Sequence, residues 1–210
     1  MLHTRKRTAV FLRNLICFTT LPIFHLTCVA QGQTQPSAPA DFDVVSVKLH
    51  MTGREVIETL RTRFGATVDP VKGIRVTTSA GTYNTAKPYV SQVHYKAKDF
   101  TLNVDFAEIF PASGVRREGA YRISYFADTK TQADKEGIQQ KILAKYGAPT
   151  TTGVTGDMWC QVATCDLNQP LMEARPSPLD PGFYVGLRDE GFRRRMEEAF
   201  SKSKTGSPPL

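Results

Sequence analysis

The sequence predicts an α+β fold: a largely antiparallel sheet with helices packed on one face, built from two related strand and helix units. Three observations carry this expectation. A capped amphipathic helix follows a strand-like run at residues 43–65. Strictly alternating runs come next, the clearest being Phe100, Leu102, Val104 and Phe106 against Thr101, Asn103 and Asp105. A second strand-like run and a second apolar stripe ending in Gly147 then repeat the order.

Taken in order, Val45, Val47 and Leu49 alternate with Ser46 and Lys48, the period of a half-buried strand. Thr52-Gly53-Arg54-Glu55 has the spacing of a capping box, and Met51 and Val56 stand where a hydrophobic staple forms. Val56, Ile57, Leu60 and Phe64 recur at helical spacing, and Gly65 supplies a left-handed exit. Ile74 and Val76 begin a short strand. Val93, Tyr95 and Ala97 alternate with Gln92, His94 and Lys96, and the 100–106 run makes the next strand with one wet face.

The second unit opens on Tyr121, Ile123 and Tyr125. Asp134 is the expected cap of a helix carrying Ile138, Ile142, Leu143 and Tyr146, although Gly137 weakens that helix by about 1 kcal/mol relative to Ala. Strands are expected at 158–162 and 183–187, separated by a loop containing Pro170, Pro176, Pro178 and Pro181. Asp189 caps a last helix with Phe192, Met196, Ala199 and Phe200 on one face, and residues 201–210 read as a disordered tail. The folded part is thus a single domain over 42–200, with repeat units at 42–118 and 119–200.

The first thirty residues read as an address. Arg5, Lys6, Arg7 and Arg13 precede the apolar run 15–30, which ends in small residues before QGQTQPSAPA. That is the order of a cleaved secretory signal peptide over 1–30, with cleavage after Ala30 and a flexible leader at 31–41. The expected location is periplasmic or secreted. Acylation of Cys28, giving a membrane-anchored lipoprotein, is the alternative fate of this segment.

Removing the address changes the arithmetic. The 210 residues carry 27 Lys plus Arg and 20 Asp plus Glu, a net of +7; without the four signal-peptide cations the balance is 23 against 20, or +3. A nucleic-acid footprint is not supported by that balance. Of four cysteines, Cys160 and Cys165 remain, and two cysteines in an oxidising compartment are expected to pair.

At Lys48-Leu49-His50-Met51-Thr52, followed by Val56, Leu60 and Phe64-Gly65, the chain resembles a G-M-T-x-x-x-V pattern ending in glycine. This pattern is found in small outer-membrane-assembly lipoproteins and in the repeats of β-lactamase-inhibitor-like proteins. The second unit, Tyr146-Gly147-Ala148-Pro149 and then Trp159, resembles its continuation through Y-G-x-P to a tryptophan on the next strand. His50 stands where that pattern has glycine. The resemblance implies a binding or assembly module rather than a reaction.

Reactive groups are few after export. No G-x-S-x-G elbow, H-E-x-x-H, P-loop or EF-hand loop occurs, so no catalytic, cofactor or metal residue is assigned. His94 is expected on a solvated strand face and His50 in a loop before a cap. Asp99, Asp105 and Glu108 lie on or beside one strand, where a hydrolase using a histidine or a carboxylate is the alternative reading. Trp159 and Tyr95 are expected in the core. Tyr83, Tyr89, His94, Arg116 and Arg117 are the candidate binding surface. The expectation is an exported, non-catalytic binding or assembly module in the bacterial envelope, with a protein partner, no nucleic acid, no stable membrane insertion after signal cleavage and no cofactor.

Overall fold

A computed structural model describes residues 38–81, 88–109, 118–177 and 181–204. The expected signal peptide with Cys28, the start of the leader, and Tyr83, Arg116 and Arg117 lie outside the described residues.

The chain enters through a 3-10 turn, Pro39–Asp41, whose Pro39 is buried, so the end of the expected leader is part of the fold. The single strand expected over 43–49 is instead a tight hairpin of β1 (Asp43–Val44) and β2 (Val47–Lys48). Val45 and Ser46 form its turn at φ 48° and 70°. Two consecutive left-handed residues are what a two-residue hairpin turn matched to strand twist requires. Ser46 N–H donates to Asp43 Oδ2 at 2.8 Å, which closes the turn on itself.

Helix α1 (Gly53–Phe64) begins as its sequence dictates. The Thr52 hydroxyl accepts from the Glu55 amide, the Glu55 carboxylate accepts from the Thr52 amide at 2.7 Å, and Gly65 leaves at φ 63°. Val56 and Leu60 are fully buried. Helix α2 (Gln132–Tyr146) starts two residues before the expected cap. Thr131 is the N-cap, and Asp134 is the reciprocal carboxylate of a second capping box. Ile142 and Tyr146 reach the core, whereas Leu143 is left at the surface. Tyr146 Oη donates to the Asp43 carbonyl and Lys145 Nζ pairs with the Asp43 carboxylate at 2.9 Å, which fastens α2 to β1.

Eight strands form one antiparallel sheet. They are β3 (Ile74–Ser79), β4 (Tyr89–Lys96), β5 (Phe100–Glu108), β6 (Glu118–Asp128), β7 (Thr151–Gly153), β8 (Gly156–Cys160), β9 (Leu171–Pro176) and β10 (Gly182–Arg188). Their order is β3-β4-β5-β6-β10-β9-β8-β7. It consists of two four-strand meanders meeting along their last strands, each preceded by a helix. Strand β6, expected to open the second unit, closes the first meander.

One row of register partners, Val93, Val104, Ile123, Leu187, Met172 and Trp159, crosses six strands, and all six residues are buried. The intervening row runs His94, Asn103, Ser124, Gly186 and Glu173. The sheet therefore has one apolar and one polar face over these strands. Strand β9 lies inside the span expected to be a Pro-rich loop. It carries buried Leu171, Met172 and Ala174, and its proline stands at the last position, where the strand ends.

Trp159 is 3% exposed, and its indole N–H donates to the Gly147 carbonyl at 3.0 Å. The tryptophan is thus a core residue that also satisfies the C-terminal exit of α2. Next to it Cys160 and Cys165 form a disulfide. Replacing both with serine is expected to cost about 2 kcal/mol, the chain-entropy value for so short a loop. Denaturant unfolding of the double variant reads this directly.

Helix α3 (Glu190–Lys204) extends past Ser201, where the disordered tail was expected to begin. Its contacts also differ from those of α1 and α2. Expected with them on one face, it instead meets residues of the polar register: Glu190 pairs with Arg122, and a side chain at Gly119 would meet the Phe192 ring at 3.0 Å. No helix among the described residues is long and apolar enough to cross a membrane.

Candidate functional site

The polar face of β6, β10 and β9 carries a groove of about 440 Å³. Its floor is opened by Gly186, whose register partners are Ser124 on β6 and Glu173 on β9. A Cβ there would collide with the Tyr184 hydroxyl, so Tyr184 lies along its own strand over the glycine. Burial pushes the Tyr184 phenol above its ordinary pKa, opposed by a hydrogen bond with Ser124. The phenol stays protonated at neutral pH and serves as a fixed polar tip on an aromatic plate.

Aromatic and cationic groups stand around that floor. Phe126 is 40% exposed with its ring centroid 5.0 Å from that of Tyr184, and the Arg175 guanidinium lies over the Tyr184 ring at 5.2 Å. At the other end Arg188 and Arg122 are direct register partners. Like charges opposite each other across an antiparallel pair are unfavourable. The surrounding acids relieve this unequally. Arg122 pairs with Glu190 and approaches Asp105 at 4.0 Å, whereas Arg188 reaches Glu173 only at 3.7 Å. The Arg188 Nε is buried without a hydrogen-bond partner.

A second cleft of about 440 Å³ lies under α3, lined by Tyr89, Phe106, Glu108, Tyr121, Arg193 and Phe200 among others. Glu108 is 4% exposed. Burial raises the pKa of both phenols, and the Glu108 charge adds to the effect at Tyr89. These tyrosines are hydrogen-bonding groups, not bases.

His50 and Asp189 meet behind this helix. His50 is in the left-handed region at φ 65°, where the resembled pattern has glycine. The strain of a side chain there is offset by contacts: Nε2 lies 2.9 Å from Asp189 Oδ2, and the ring lies 4.5 Å from that of Phe192. Asp189 is 1% exposed and also accepts from the Phe192 amide at 2.8 Å and from Arg195 at 3.3 Å. Burial alone would raise its pKa. The hydrogen bond from His50, then the Phe192 amide and Arg195, outweigh it and hold the carboxyl below its usual range. The arrangement holds β2's exit against the start of α3.

The expected surface residues separate. Tyr89 lines the cleft under α3, while His94 is on the polar face, half-buried, donating from Nδ1 to Asn103 Oδ1 with Nε2 buried and unpartnered. His94 is therefore not the solvated strand residue that alternation implied. The residues of the central groove, Arg122, Phe126, Arg175, Tyr184 and Arg188, were not singled out in the sequence. Their strand parity opposite Ile123 and Val185 was the available signal. Among the described residues no group of three or more His, Cys, Asp or Glu is placed to hold a metal ion. Comparison with known proteins finds no family model, no curated protein and no solved structure that matches the chain.

Proposed function

We propose that this chain is an exported binding or assembly module of the bacterial envelope, and that it engages a protein partner through the polar face of β6, β10 and β9. The observation that carries the reading is the groove itself: tyrosine, phenylalanine and three arginines gathered around a glycine floor on a rigid sheet. Aromatic residues and arginine are the types enriched at interface hot spots. A sheet buried on its other face holds them in place without a further ordering cost. The Cys160–Cys165 disulfide supports an oxidising compartment, and with it export.

Site-specific photo-crosslinking in cells expressing the full chain tests this reading. A crosslinking residue at Thr101, the register partner of Phe126, is expected to trap one defined protein. The same residue at Glu58, an exposed position on α1, is expected to trap none. Equal trapping from both positions, or none from Thr101, contradicts the reading.

A further inference from the structure

The guanidinium groups of the groove differ in how far their charge is already met. Arg122 is held by Glu190 and flanked by Asp105. Arg188 has one long contact, to Glu173, and a buried Nε donor with no acceptor. Arg175 is over the Tyr184 ring and has no acidic partner among the described residues. The groove's other lining residues are Ser124, Phe126, Ser177, Tyr184, Gly186 and Leu187, and Glu173, the register partner of Gly186, borders it and interacts with both Arg188 and the Tyr184 phenol. Two planar forks with unused donors, on either side of the Tyr184 ring that lies over Gly186, match a planar carboxylate.

We infer that the groove takes a carboxylate side chain from an acidic, extended segment of the partner protein, seated between Arg188 and Arg175, with a neighbouring apolar side chain on the Phe126–Tyr184 plate. The inference rests on the protein-partner reading above and adds the chemistry of the partner. The spacing fits such a segment: Arg188 and Tyr184 are four residues apart on β10, roughly 13 Å at strand rise. A strand or loop of the partner therefore presents both groups along one side. An anionic membrane surface fits less well. With Asp105, Glu173 and Glu190 around the same arginines, the unmet donors are few, enough for one inserted carboxylate but not for a plane of anionic headgroups, which would also face the three acids.

The test uses the Thr101 crosslink in the full chain, with thermal midpoints confirming that each variant folds. R175Q and R188Q are each expected to lower partner trapping at least about tenfold, because each removes one side of a desolvated charge contact. R188K is expected to lower it less, since it keeps the charge and loses the fork. K96Q, on the same face outside the groove, is expected to trap normally. Trapping unchanged in both R175Q and R188Q overturns the acidic-partner inference and leaves the binding face standing. No trapping by the unsubstituted chain overturns both. Protein purified from cells expressing the full-length gene is also mixed with phosphatidylglycerol vesicles and, separately, with inorganic phosphate. No R188-dependent binding is expected to either; co-sedimentation or phosphate binding lost in R188Q would assign the groove to a phosphate group instead and overturn the inference.

Discussion

Replacing Asp189 with alanine is expected to cost about 3 kcal/mol, because it deletes a helix cap and a hydrogen-bonded charge together. For a domain of this size that is a fall of about 6–12 °C in thermal midpoint. The carboxylate is 1% exposed and receives His50, Arg195 and the Phe192 amide, so its loss removes the side-chain acceptor shared by all three and leaves the Phe192 amide only its longer bond to the Asp189 carbonyl at 3.2 Å. It also removes the contact that offsets the left-handed backbone at His50. The loss is pH-dependent in a fixed direction. A carboxyl whose folded pKa lies below its unfolded value contributes in full above that unfolded value, about 3.9, and the contribution disappears as pH falls through the lower folded value. Thermal melts from pH 7 to pH 2 are therefore expected to show the gap between the parent and D189A narrowing toward the acid end. A constant gap across that range contradicts the assignment.

Phe183→Ala is expected to be costlier, about 3–5 kcal/mol, the range for truncating a buried phenylalanine. Phe183 is 1% exposed on β10, between Ala127 of β6 and Pro176 of β9. The cavity would open along the strands that join the two meanders. Phe126→Ala supplies the contrast. It is one residue from Ala127 on β6, points to the opposite face and is 40% exposed, and its truncation is expected to cost no more than about 1 kcal/mol. Chemical denaturation of the two variants separates the faces of the sheet. Equal losses would mean that the polar face is packed rather than open.

Where the sequence was legible, local chemistry agreed with tertiary structure. The first helix carries its own cap, staple and exit glycine, and β5 alternates without interruption, so both are readable from a few residues each. The β1–β2 hairpin was read as one strand because Val45 and Ser46 preserve the alternation while adopting left-handed backbone, a choice made by the chain on either side. Strand β9 was hidden by the surrounding prolines and by its adjacent buried pair, Leu171 and Met172, which breaks the period of two. The earlier start of α2 followed from a Thr-x-x-Asp box in place of the usual Thr-x-x-Glu.

The groove was less accessible than the fold. Its residues come from β6, β9 and β10, and β10 is joined to β6 by a pairing that skips α2 and the first three strands of the second meander. Arg122 and Arg188 become neighbours only through that pairing. The same distance in sequence hid the contact of His50 with Asp189, although each residue was visible separately, one in a glycine position before a cap and the other as a cap itself.

We propose the polar face of β6, β10 and β9 as the face where a partner binds. The most direct measurement is the mass-spectrometric identification of proteins trapped by photo-crosslinkers at Thr101 and at Glu58 in the full chain in cells. One dominant protein is expected to be trapped from Thr101 and to be absent from Glu58. The same trapping pattern from both positions, or nothing trapped from Thr101, would contradict it.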